Sequence, residues 1–416
     1  MPELHFAPLS AFAEVTMGQS PDAAACNTTE RGLPFLQGCA EFGATHPDAN
    51  IYCDPPLRMA KSGSVLISVR APVGTMNYAD RDYCIGRGLG AFKAKSGLAN
   101  TTFLKHAVEL NSTYLHRRSQ GSTFAAVSAT DVRSVPVPVF SPEVQDWIAS
   151  ILASIDTSID RTEALIAKHQ RIKAGLMQDL FTRGVLPDGQ LRPRRSETPE
   201  LYQETAIGWI PADWQFELLD KLALRGSGHT PNKNYPEYWN GGIKWVSLAD
   251  SHRLDQLYIS DTALKISHQG IQNSSAVLHP AGIVVLSRDA GVGKSAITTE
   301  PMAVSQHFMC WKCDQKMDNH FLYYWLQFNK RTFENIAMGS TILTIGLPYF
   351  KRLRIACPVQ LEEQKLIAAK LRMADELLMS LQRDLEKTKQ RKLGLMQDLL
   401  TGCVSVDHLV PEPVDA

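Results

Sequence analysis

Four short stretches of this chain bring together residue types that could do chemistry. DAGVGKS, Asp289 to Ser295, sets glycines, a lysine and a hydroxyl in the order a phosphate cradle uses. That cradle also needs glycine at position 288, where Arg288 stands, so a glycine turn at a strand end is expected instead. DPPL, Asp54 to Leu57, is close to the run with which adenine-flipping enzymes hold their base, but Leu57 has no aromatic face for stacking. GRGLGA, Gly86 to Ala91, formally spells a dinucleotide fingerprint, yet no amphipathic helix follows it. Cys310 and Cys313 make one CxxC without a second cysteine or histidine pair at ligand spacing. No catalytic residue, metal ligand or cofactor is therefore expected.

What remains is a set of groups suited to recognition. Arg70 stands near Gly74, and Arg288 near Gly293 and Lys294. Arg117 and Arg118 precede Gly121, Ser122 and Thr123, while Lys330 and Arg331 precede Gly339, Ser340 and Thr341. Arginine, lysine, small hydroxyls and free backbone N–H groups are what phosphate oxygens and guanine edges require. Singly, each is better explained as a solvated loop charge. Their recurrence in both halves of the chain points to a shared binding surface, although common descent of the halves would also produce it.

The elements that must position these groups come from an internal repeat. GLMQDL occurs from Gly175 to Leu180 and again from Gly394 to Leu399, an offset of 219 residues. At that offset Gln145 lies over Gln364, Asp156 over Asp375, and Lys173 over Lys392. Ile148, Leu152, Ile155, Ile159, Thr162 and Ile166 step alternately by 4 and 3, as do Ile367, Leu371, Ala374, Leu378, Leu381 and Leu385. That spacing is a coiled-coil seam. Leu176, Leu180, Leu395 and Leu399 resume it after a polar interruption that includes both lysines, a pattern that fits a register-setting device. Ser141 and Pro142 supply a helix start, and Gly184 and Pro187 a stop. Roughly 40 residues make a rod of about 60 Å. Its narrow apolar stripe cannot be buried alone, so each rod is expected to pair with the other.

Upstream of the rods the repeat continues. VLISVRAPVG, Val65 to Gly74, lies over IVVLSRDAGVG, Ile283 to Gly293, with Arg70 over Arg288 at an offset of 218. Ser20-Pro21 lies over Thr230-Pro231 at 210, so one half carries about eight extra residues between positions 38 and 65. The chain thus reads as α/β in the α+β sense, two globular modules alternating with two long helices. The expected boundaries are 1–140 and 207–357 for the modules, 141–184 and 358–404 for the rods, 185–206 for a linker and 405–416 for a disordered tail.

Composition sets the outer limits. At 416 residues, two or three domains are expected. Lys+Arg and Asp+Glu both number 43, which argues against indiscriminate polyanion binding but not against a local basic patch. Eight unevenly spread cysteines read as reduced thiols, the first residues show no basic stretch followed by an apolar one, and no run of 18 apolar residues occurs. A cytoplasmic protein with no membrane partner is expected.

The order of motifs resembles the specificity subunits of type I restriction–modification systems. The second half carries IGWIP from Ile207, GHTP from Gly228 to Pro231, and EYWNGGIKWVSLAD from Glu237. SRDAGVG, SQHF and MGST follow, before ACPVQLEEQKLIAAKL leads into the second rod. The first half matches more loosely, with MGQSP for GHTP and no Tyr-Trp pair. The resemblance implies two target-recognition domains, each reading one half of a bipartite, asymmetric double-stranded DNA site. It also implies that the rods pair as an antiparallel coiled coil in a pseudo-twofold repeat, a ruler that sets the spacer between half-sites. Such a subunit has no catalytic activity and recruits two adenine-N6 methyltransferase subunits and the restriction subunits. Expected DNA-binding residues are Ser20, Arg70, Gly74, Arg117, Arg118, Ser122 and Thr123 in the first domain. In the second they are Thr230, Tyr238, Trp239, Lys244, Arg288, Gly293, Lys294, Lys330, Ser340 and Thr341. Two rival readings are a coiled-coil scaffold and a nucleotide-binding enzyme using the DAGVGKS turn.

Overall fold

The computed structural model describes residues 4–119, 126–339 and 343–406. The chain divides into two compact units, one of residues 1–166 with 381–416 and the other of residues 167–380.

In the first unit the apolar run VLIS forms the strand Val65–Ser68, inside a four-stranded sheet with Ala13–Met17, Leu89–Ala94 and Met76–Tyr78. Its side chains alternate between two cores. Val65 and Ile67 join Phe92, Phe103 and Leu104, while Leu66 joins Leu36, Tyr83 and Leu89. A strand buried on both faces has no polar alternation, which is why this one reads as continuous apolar sequence. The second unit repeats the device in the strand Val284–Ser287. Val284 and Leu286 face a core with Trp311 and Phe321, and Val285 faces one with Val246 and Phe308. Each module is closed by a ladder between its two ends, Phe6–Pro8 with Pro136–Pro138 and Trp214–Leu218 with Arg354–Pro358. The second module carries the short helix His268–Gln272 between its strands Trp239–Val246 and Val284–Ser287, where the first module has no α-helix between Leu33–Leu36 and Val65–Ser68.

The rods are single helices, Pro142–Arg183 and Leu361–Leu400. The Ser141 hydroxyl accepts from the Val144 amide, and the first rod stops at Gly184 in a left-handed turn (φ +66°), as start and stop signals require. Each unit holds one stretch of each rod, packed antiparallel. In the first, Ile148 and Leu152 share a core with Met396 and Leu399; in the second, Leu180 and Phe181 share one with Ile367 and Leu371. No member of the expected seam is exposed, whereas Leu165, Ile172, Met373, Leu377 and Leu393, off the seam, are. The polar interruption also pairs by symmetry. Lys392 bonds Asp156 (2.9 Å) in the first unit, and Lys173 bonds Asp375 in the second.

Gln145 and Gln364 tie each module to its rod with the same three bonds. Gln145 accepts from the Asn100 amide and donates to the carbonyls of Leu98 and Phe140. Gln364 accepts from Asp318 and donates to Lys316 and Pro358.

Two expectations are corrected. The segment 185–206 is not an open linker: Val185 bridges Leu191, buried Arg192 bonds Asp213 (2.8 Å), and Tyr202–Thr205 forms a hairpin with Gly208–Pro211. The tail does not begin at 405, because Val406 is buried in the first unit's core; an apolar residue beyond a helix end can still find a core. Residues 407–416 lie outside the described residues. Among the described residues no helix is long and apolar enough to cross a membrane.

Candidate nucleic-acid interface

In both modules the two buried strands end at a cluster of four loops held by backbone bonds. In the first, the Gly18 amide donates to Leu89, Val69 to Gly88 (3.0 Å), Val127 to Val69 (2.9 Å), and Gly74 back to Ser68 (2.9 Å). The second repeats three of these: Arg288 donates to His307 (3.0 Å), Ile345 to Arg288 (2.9 Å), and Gly293 to Ser287 (3.0 Å). Its loop near 228–230 is fastened by the Thr230 hydroxyl, which donates to Gln306 Oε1 at 2.6 Å. Gly74 and Gly293 share φ +86°, the left-handed conformation that favours glycine. A Cβ on Gly293 would also come within 2.9 Å of the Lys330 side chain, so this turn is pressed against its neighbour.

These bonds correct the pairing of the two arginines. Val69, not Arg70, occupies the place of Arg288. The Ser68 hydroxyl donates to the Arg70 carbonyl and the Ser287 hydroxyl to that of Asp289, both at 2.6 Å, so Arg70 corresponds to Asp289. The offset is 219 here, and a one-residue slip turns a side chain to the opposite face. Arg70 is accordingly exposed, while Arg288 reaches inward, donating to the carbonyls of Ile345 (2.9 Å) and Gln306 (3.3 Å).

The other expected residues fall into groups. Ser20 sits in the first cluster, its hydroxyl receiving bonds from the Arg87 amide and Nε, each at 3.3 Å. Arg117 is exposed on the helix Ser112–Arg118, where Arg118 covers the Tyr114 ring at 3.8 Å and pairs with Asp131. Tyr238 stacks on Tyr235, and Trp239 packs edge-on against Trp245, whose indole N–H bonds the His229 carbonyl beside Thr230. Lys244 belongs to a different sheet from the Arg288 turn and is paired with Glu300 and Asp261. Lys330 is likewise paired with Asp255, whereas Lys294 donates to the neutral Ser251 carbonyl at 3.1 Å. Ser122, Thr123, Ser340 and Thr341 lie outside the described residues.

Several residues of the clusters were not legible in the sequence. Arg58 and Arg133, both exposed, line a cleft with Thr16, Gly18 and Gln19. His307 Nδ1 donates to Asp289 (2.7 Å), and the Thr344 hydroxyl also bonds that carboxylate. SQHF and GRG were visible as motifs, but nothing in them announced partners dozens of residues away.

The enzymatic readings lose their footing here. DAGVGKS is a turn between antiparallel strands, with Leu286 opposite Ser295, and the chain continues as the strand Ser295–Thr298 rather than the helix a phosphate loop needs. GRGLGA likewise runs into a strand, Leu89–Ala94. Cys310 is buried and its thiol pushed up to about 12 by that burial; no metal-ligating cluster occurs among the described residues.

Comparison with known proteins supplies the missing frame. The family described as the type I restriction modification DNA specificity domain matches residues 56–170 and 211–390. This chain belongs to that family. Within it, the chain is similar to the MjaVIII specificity subunit of Methanocaldococcus jannaschii, 24% identical over 326 residues, covering 76% of this chain and 73% of that protein. The MjaIX specificity subunit of the same organism is 29% identical over 181 residues, but this match takes in only 41% of that protein. Among solved structures, the S subunit of a type I restriction–modification system from M. genitalium has the same fold, with a TM-score of 0.60 at 11% identity over 95% of this chain and 96% of that one. The first 55 residues, which carry Ser20, lie outside the family match.

Proposed function

We propose that this chain is the DNA-reading subunit of a type I restriction–modification assembly, binding a bipartite, asymmetric double-stranded site with one half-site per module. The observation that carries this reading is the four-loop cluster, built twice with corresponding bonds in a chain of the DNA specificity family. Duplicated scaffolds with different side chains suit two half-sites of different sequence. Ser20, Arg70, Gly74, Thr230, Lys294 and Gly293 belong to or adjoin the contact surface, with Tyr238 and Trp239 beside it. Arg288 serves to hold the loops. Lys244 and Lys330, paired internally, contribute no free charge. Methyl transfer and cleavage fall to partner subunits, two methyltransferase and further restriction subunits, and the site of action is the cytoplasm.

Methylome sequencing of a host that expresses this chain with its methyltransferase subunits tests the proposal. The expected readout is one adenine-methylated motif of two short specific blocks around a spacer of fixed length. A contiguous motif, or methylation independent of this chain, would overturn it.

A further inference from the structure

The backbone bonds that align the two modules also align one exposed position that differs between them. Gly86 donates to Leu36 and Ser305 to Val246; Leu89 donates to Gly86 and Phe308 to Ser305. Gly88 and His307 then accept the corresponding amides of Val69 and Arg288. Position 87 therefore corresponds to position 306, and the residues there are Arg87 and Gln306. Both are exposed, and each is steered by the small hydroxyl at the corresponding point of the neighbouring loop, Ser20 or Thr230.

We infer that Arg87 and Gln306 are base-reading residues at the same position of the two modules, Arg87 recognising a guanine and Gln306 an adenine. This rests on the DNA-binding reading proposed above. Arginine places two donors on guanine O6 and N7, and a glutamine amide gives and accepts one bond with adenine N6 and N7. Ser20 engages Arg87 through Nε, and the structure shows no partner among the described residues for the two terminal nitrogens, which form the fork. Gln306 keeps an oxygen lone pair and an amide hydrogen beyond its bonds with Thr230 (2.6 Å) and His307 (3.4 Å). The main chain beneath Gln306 is braced by Arg288, which donates to its carbonyl at 3.3 Å. An anchored side chain on a braced backbone loses less freedom on binding than a loose one.

The test uses the complete methyltransferase complex, with Arg87→Gln and Gln306→Arg made separately and the methylated motif read by sequencing. Each variant is expected to alter one base position, in one half-site, with roughly 10- to 100-fold loss of preference for the original base there. The other half-site and the spacer stay as they were. The wild-type half-site read by the first module must contain a G·C pair; its absence overturns the assignment of Arg87. An unchanged motif at undiminished rate, or a uniform fall in methylation with the same motif, overturns base reading, the latter in favour of a phosphate contact. Should Arg87→Gln melt early, Arg87→Lys keeps the charge without the fork and is expected to relax the same position; retention of full preference overturns the inference. A wild-type complex without a bipartite motif would instead fail the proposed function itself.

Discussion

Arg288, expected among the DNA-binding residues, makes its bonds within its own module. Its place near Gly293 and Lys294 suits a DNA contact or a structural bond alike. The guanidinium bonds the carbonyls of Ile345 and Gln306, joining two loops of its own module. Removing it leaves the part-buried Ile345 carbonyl without its donor and unties the Gln306 loop, at about 1–3 kcal/mol. Arg288→Ala should therefore lower the melting temperature clearly, with the methylated motif unchanged in the protein that stays folded. A relaxed motif with an unchanged midpoint would return Arg288 to base contact. The lysines separate on the same logic. Lys294 meets a neutral carbonyl, which leaves its charge uncompensated by that partner, whereas Lys244 is paired with Glu300. Lys294→Ala is expected to weaken binding to all DNA sequences and lower the salt slope by about one unit, with Lys244→Ala leaving the slope alone. Titrations over a range of salt concentrations decide between them.

At the level of elements, the rods show how a repeat in sequence becomes a repeat in contacts. Lys173 and Asp156 each sit over a residue of the same type in the second copy. Antiparallel pairing brings each lysine to the aspartate of the other rod. Asp375 also accepts from the Tyr324 hydroxyl, so Asp375→Ala leaves two partly buried donors without an acceptor and should cost about 1–3 kcal/mol. Reversing the pair, Lys173→Asp with Asp375→Lys, should recover part of that loss relative to either single change. Additive losses in chemical melts would show that the two do not interact.

The first unit surrounds the equivalent pair with titratable groups. Burial pushes the Glu109 carboxyl up, but the bond from His106 and the charges of Lys105 and Lys392 outweigh it and hold the group well below the usual carboxylate range. Burial holds His106 below its ordinary 6.5. Both folded-state values are depressed, so the unfolded chain binds more protons during acidification and stability falls. The loss from His106 begins as pH drops below 6.5 and that from Glu109 below 4.5. Melting temperatures between about pH 7.5 and about pH 5 should decline, and less steeply in His106→Gln. An identical slope in the variant would remove His106 from the account.

For the whole molecule, the decisive property is that each module carries its own core and closes its own ends by a ladder. Exchange of residues 207–357 for the matching segment of another family member should change one half-site and leave the other intact. The downstream end of the exchanged piece lies in the Trp214–Leu218 and Arg354–Pro358 pairing, and the upstream end in the turn of the Tyr202–Thr205 and Gly208–Pro211 hairpin just before it. A folded chimera with both halves of its motif altered would contradict modularity.

The repeat, the rods, their seam and the buried strands could be read without coordinates, because each is written in spacing along the chain. Helical and strand periods depend on neighbours a few residues apart, and Gly184 or Ser141 marks an end locally. The partners of Arg288, the Ser20–Arg87 and Thr230–Gln306 contacts, and the correspondence of Arg70 with Asp289 could not be read that way. These join segments up to 76 residues apart, and the last turns on a single residue of register. The partners of the charges were hidden for the same reason: Lys244 and Lys294 look alike in sequence, and only folding places Glu300 beside one and a neutral carbonyl beside the other. Sequence by itself determined which segments are rods and which are modules, since those follow from local periodicity. Which side chains face outward from the loop clusters was decided by tertiary structure, because it depends on hydrogen bonds that form only once distant strands have paired.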